Sequence, residues 1–145
     1  MWQDYVEATH PSVVAMDTWL STLVVFERLH QEGETEDLFE AAAAGDLWDS
    51  GDETTPIKPI YSNPDVYELR RIALKKALRF YHTEPLVLTT SLVALHRHIK
   101  TGAESQQREI DHAVKRYEDG AAVSWQRSPG LNNNLQVVNV ELSNE

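Results

Sequence analysis

One apolar run sets the class of fold. Leu86 to His98 is rich in Val, Leu and Thr, follows Pro85 and gives way to Thr101-Gly102, so it reads as a β-strand. It is far too short to cross a bilayer. On both sides of it the spacing is helical. From about Ser12 to His30 the residues Met16, Trp19, Leu20, Leu23 and Phe26 recur at helical intervals, with Pro11-Ser12 as a start and Gly33 as a stop. A second helix is expected over residues 34–44, with Leu38, Phe39 and Ala42 on one face and Gly45 as its cap. A third, over residues 104–117, carries Ile110, Ala113, Val114 and Tyr117 at i, i+3, i+4 and i+7. Trp2, Tyr5 and Val6 suit an edge strand, and the acidic stretch 46–56 with Gly51 and Pro56 reads as a loop. Strand and helices together make the fold α+β.

Residues 64–82 carry two readings. Asn63 as cap, Pro64 at the first turn and the stripe Val66, Leu69, Ile72 and Ala73 favour a helix. Leu78-Arg79-Phe80-Tyr81-His82 reads equally well as a strand, with Lys75-Lys76 in a hairpin loop.

With 145 residues the chain has the length of one domain. Residues 1–123 are expected to form it, with an acidic helical part over 1–55 and a basic sheet and helix over 56–119. A flexible tail is expected over 124–145, where Pro129-Gly130 and Asn132-Asn133-Asn134 fall. Within that tail, residues 136–142 alternate in a way that suits a strand added to a sheet edge. With no Cys, disulfides, thiolate metal sites and cysteine nucleophiles are excluded. The N-terminus has no basic segment followed by an apolar one, so a cytoplasmic protein is expected.

The net charge of −10 conceals a division. Residues 1–55 hold thirteen acids against Arg28 alone, whereas residues 56–117 hold eleven bases against six acids, with His82, His96, His98 and His112 besides. A basic middle flanked by acidic ends points to a phosphate-bearing partner for the middle. The acids otherwise serve solubility.

Three features of the middle carry chemistry: Glu68-Leu69-Arg70 with Arg79, the run His96-Arg97-His98-Ile99-Lys100, and the helix containing Arg108-Glu109-Ile110-Asp111-His112. Strand alternation puts His96, His98 and Lys100 on one face and Arg97 on the other. Cleavage of RNA by its own 2′-hydroxyl needs an acid, a base and fixed positive charge around phosphorus. Arg79, Arg70 and Lys100 supply charge, and His96 or His98 titrate near neutrality. Lys58, Arg71, Lys75, Lys76 and Arg97 are further RNA-binding candidates, and Phe80, Tyr81 and Tyr117 can stack on bases. His96 and His98 read more readily as surface or partly satisfied strand histidines than as catalysts. They have no third convergent ligand in the sequence, so neither a metal nor a cofactor is expected.

Ile57-Lys58-Pro59-Ile60, Glu68-Leu69-Arg70 and Leu78-Arg79-Phe80-Tyr81 resemble the "K-P-L … E-L-R … y-R-v-x-y" run of HigB-type toxins of the RelE/ParE superfamily, which includes phage-derived relatives. The similarity continues through Leu92-Val93-Ala94-Leu95-His96, Lys100 and Arg108-Glu109-Ile110-Asp111-His112-Ala113, and covers residues 57–119. The resemblance implies a RelE-like fold, with N-terminal helices on a small antiparallel-rich sheet, strands over about 66–72 and 77–83, and a C-terminal helix. It also implies a metal-independent endoribonuclease acting on mRNA at the ribosome, neutralised by a helix-turn-helix (HigA-like) antitoxin. By position, Arg70 and Arg79 match the family's phosphate-binding arginines and Lys100 the first lysine of its basic turn. The rest of that turn, Thr101 to Gln106, contains no further lysine. The alternative is a non-catalytic binding module on the same fold, since this superfamily also includes inhibitors of a protein target.

Overall fold

The computed structural model describes residues 2–88, 91–126 and 136–137. Its elements in chain order are β1 (Trp2–Asp4), α1 (Pro11–Thr22), α2 (Val25–Ala43), β2 (Ile57–Pro59), β3 (Val66–Ala73), β4 (Lys76–Thr83), β5 (Leu92–Lys100), α3 (Ala103–Ala122) and β6 (Gln136–Val137). The fold is α+β, with a mixed sheet ordered β2-β3-β4-β5-β1-β6. β2 to β5 form an antiparallel meander, and β1 joins its far side parallel to β5, with Trp2 beside Leu92.

The two readings of residues 64–82 resolve as strands. β3 and β4 pair from Val66↔Thr83 to Ala73↔Lys76 around a two-residue turn at Leu74-Lys75. Burial of both faces outweighs local helix propensity here: Leu69, Leu78 and Phe80 enter one core while Val66 and Tyr81 enter another. Each such buried apolar side chain contributes about 1.5–3 kcal/mol.

The N-terminal helices divide differently from the expectation. The chain breaks at Leu23-Val24, both extended, so a single helix over residues 12–30 does not form. Gly33 lies inside α2 instead of ending it. α2 closes where Gly45 adopts φ +75, with the Gly45 N–H donating to Ala42 O and the Asp46 N–H to Ala41 O. The strand expected from Leu86 begins only at Leu92, since residues 86–88 form a turn.

The sheet separates two cores. On one side α1 and α2 pack Met16, Ala42, Trp19, Leu38 and Phe39 over Trp2, Leu69, Leu78, Phe80 and Leu92. Phe39 stacks on Trp2 at 4.3 Å and meets the edge of Phe80 at 5.2 Å. On the other side α3 packs Ala113, Ile110, Val114 and Tyr117 over Tyr5, Val66, Tyr81, Val93 and Leu95. Trp125 is buried in this second core, edge-on to Tyr5 at 5.4 Å, so packing runs beyond the expected boundary at 123. Most of the remaining tail lies outside the described residues, although Gln136–Val137 pairs antiparallel with β1. Among the described residues no helix is long and apolar enough to cross a membrane.

Candidate functional site

Alternation and pairing along four neighbouring strands bring the predicted cations together. Arg70 on β3 sits opposite Arg79 on β4, Arg79 opposite His98 on β5, and Lys58 on β2 opposite Glu68 on β3. Lys58, Arg70, Arg79 and Lys100 all line one cavity of ≈ 660 Å³. Asp49, Gly51, Asp52, Glu53 and Thr55 of the loop before β2 line the same cavity.

Glu68 organises the arginines from beneath. It is buried, accepts from Arg70 Nε at 2.5 Å and from Gln106 Nε2 at 2.7 Å, and lies 3.7 Å from Arg79 Nε. Arg79 also donates from Nη1 to Leu78 O at 3.1 Å, whereas its buried Nε has no hydrogen-bond partner. Burial pulls the Arg79 pKa down and Glu68 pushes it back up, and an arginine remains charged throughout. The loop acids leave these cations free. Asp52 accepts from Ser50 and Thr54, and Asp49 from the Gly51 N–H, while no salt bridge joins the loop to the four cations among the described residues.

The other basic candidates lie elsewhere. Arg71 projects from the opposite face of β3 and donates to Gln31 of α2. Arg97 pairs with Asp17 of α1 at 3.0 Å, on the face opposite His96 and His98 as alternation requires. Lys75 occupies the exposed hairpin turn, and Lys76 lies 5.9 Å from the Trp19 ring centroid. The aromatic candidates are corrected as well. Phe80 and Tyr81 are core residues, enclosed because both faces of β4 are covered, and neither can stack on a base. Tyr117 is half-buried in the second core, and its hydroxyl donates to Asp65 at 3.0 Å.

His96 and His98 are only 1% and 2% exposed, lie beneath α3 and do not line the cationic cavity. They therefore do not reach a phosphate held there. His98 Nε2 is 2.9 Å from the Tyr81 hydroxyl, which also accepts from Gln106 Nε2 at 3.0 Å. Burial lowers the His98 pKa and raises that of Tyr81 well above its ordinary value. His96 Nε2 is 2.6 Å from Glu109 Oε1, whose other oxygen accepts from Ser12 Oγ at 2.8 Å. Desolvation dominates at His96 and pushes its pKa down to about 3 despite that carboxylate.

Sequence reasoning missed His10. It caps α1, with Nδ1 accepting the Ser12 N–H at 3.1 Å, and its ring lies 4.7 Å from that of His96. One ligand atom from each of His10, His96 and Glu109 lies within 4.8 Å of the others, so the third convergent ligand does exist. Nothing local marks His10, because its neighbours are brought to it by β5 and α3, more than eighty residues along. No family model, curated protein or solved structure matches this chain.

Proposed function

We propose that the cationic cavity binds the phosphodiester backbone of RNA, and that the protein is a HigB-type endoribonuclease toxin acting on mRNA at the ribosome. The observation that carries this reading is the convergence of Lys58, Arg70, Arg79 and Lys100 from four strands into one open cavity. Three of the four come from the segments that resemble the family's motifs in order, and Lys100 from its basic turn. The arrangement of α1 and α2 on one face and α3 on the other supports a RelE-like fold. A helix-turn-helix antitoxin is the partner this reading entails.

In the proposed reaction the 2′-oxygen attacks the adjacent phosphorus and the 5′-oxygen leaves. Arg79 and Arg70, held by Glu68, face the charge that develops on the phosphoryl oxygens. Lys58, Lys100 and the carboxylates of Asp49, Asp52 and Glu53 are the groups around the cavity able to move protons. The same carboxylates favour a second reading, a non-catalytic binding module, because they oppose an approaching phosphate.

Induced expression of wild-type, Arg79→Ala and Lys100→Ala protein, with primer extension on a reporter mRNA, separates the two. The enzyme reading expects new in-frame 5′ ends with wild type and about 10²–10³-fold less cleavage in Arg79→Ala. Lys100 is exposed, so Lys100→Ala reports on the cavity without disturbing the core. Intact message from folded wild-type protein removes the enzyme reading and leaves the binding module.

A further inference from the structure

Away from the cationic cavity, three histidine rings and a carboxylate meet between α3, β5 and the start of α1. The ring centroids of His10, His96 and His112 lie 4.7, 4.2 and 4.6 Å apart for the pairs His10–His96, His10–His112 and His96–His112. Glu109 stands three residues before His112 on α3, on the same helical face, and touches His96 directly. His10, His96 and Glu109, from three separate elements, each bring one ligand atom within 4.8 Å of the others, and the His112 ring packs against both imidazoles.

Hydrogen bonding among them leaves donors and acceptors unspent. His96 Nδ1 and His112 Nε2 are buried with no partner. A buried imidazole nitrogen without a partner is available to a ligand that engages nitrogen. Two imidazoles and one carboxylate, with a fourth position left for water, are a donor set that suits zinc and its first-row neighbours in tetrahedral geometry, and not the hard, all-oxygen preference of magnesium or calcium.

We propose that His10, His96 and Glu109 form a binding site for a divalent transition-metal ion of the zinc class, with His112 packed against its two imidazoles. His96 and Glu109 are 1% and 9% exposed, which gives the site a closed interior. Half-buried His10 lies at its rim and offers the way in. None of these residues lines the cationic cavity, so the ion acts as a clasp and takes no part in chemistry there. It ties the segment leading into α1 to β5 and α3, and so joins the helical layer on one face of the sheet to that on the other.

The test is titration of the untagged full-length protein with Co²⁺, followed by Zn²⁺. One equivalent of cobalt is expected to bind with the visible bands of a tetrahedral site and to be displaced by zinc. His10→Asn is the informative variant, because asparagine is a good N-cap and keeps α1 intact while removing the imidazole. It is expected to fold as wild type by circular dichroism yet bind either ion more weakly by more than about tenfold. His30→Asn, at an exposed histidine near Glu34, is expected to bind as wild type. Failure of the wild type to bind, or wild-type affinity in His10→Asn, overturns the proposal.

Discussion

Individual side chains in this protein are set by what burial does to their charge. Asp4 shows it most simply. Its Oδ1 accepts the Val6 N–H at 2.8 Å, but desolvation dominates and raises its pKa above 3.8. The Val6 bond, Arg97 and Arg116 oppose that rise and Asp17 adds to it. Since the folded protein holds this proton more tightly than the unfolded chain, stability falls as pH rises through 3.8 toward the folded value and stays lower above it. Asp4→Asn keeps an acceptor for Val6 and removes the charge. Urea denaturation is expected to find the variant more stable than wild type at pH 7, with the difference vanishing in acid. Glu68 shows the converse. Its buried carboxylate is tolerated because Arg70, Arg79 and Gln106 surround it. Arg116 is likewise buried, with its guanidinium 4.0 Å over the Tyr5 ring and donating to Tyr5 O at 2.9 Å, which fixes α3 to the segment after β1.

Among the elements, the β3–β4 hairpin holds strain that its sequence does not relieve. Leu74 and Lys75 have φ of 49° and 69°, the left-handed region that a two-residue hairpin turn demands and that Asn-Gly fills most readily. Replacing them, Leu74→Asn with Lys75→Gly, is expected to raise stability by about 1 kcal/mol, seen as a higher urea midpoint at an unchanged slope. Because Lys75 does not line the cationic cavity, RNA binding by that variant should equal wild type. The same turn explains why the hairpin was hard to read. Without Asn, Gly or Pro between the strands, the stripe Val66, Leu69, Ile72 and Ala73 keeps its helical spacing, and only cross-strand pairing decides against it. α3 was legible for the opposite reason, since Ile110, Ala113, Val114 and Tyr117 do face one core. The break between α1 and α2 was not legible, because Leu23-Val24 carries no breaker and Gly33 sits where an added Cβ would meet nothing within 4 Å.

At the scale of the whole molecule the charge division read from the sequence becomes spatial. Four bases of the middle segment line a cavity that acids of the first segment also border. Their proximity was not legible, since nothing in residues 46–56 says where a loop will lie. The bases were legible in part: alternation along β5 puts Lys100 on the face of His96 and His98, but Arg70 and Arg79 join that face through the pairing register of β3, β4 and β5. If the cavity binds RNA, the triple variant Asp49→Asn, Asp52→Asn, Glu53→Gln should bind about tenfold more tightly at moderate salt, and both proteins should weaken steeply as salt rises. A flat salt response of the wild type would point to a protein target instead. The histidine cluster was the least legible feature, because it joins His10 to residues on β5 and α3 that no local pattern associates with it.

The position of β1 orders events in time. Trp2 pairs beside Leu92, in parallel, at the far side of a meander whose other strands follow one another along the chain. The first strand to be synthesised is thus the one that must wait longest for a neighbour. Until Leu92–Lys100 has been made, Trp2 has no strand beside it and Tyr5 has no Ala94 carbonyl to receive its N–H. The meander can assemble from contacts between successive segments, whereas closing β1 onto β5 must bring Trp2 to Leu92 across all the helices and strands between them. Vectorial synthesis therefore leaves Trp2 and Tyr5 without these partners until β5 has emerged, and the sheet is completed by a return to its own first strand.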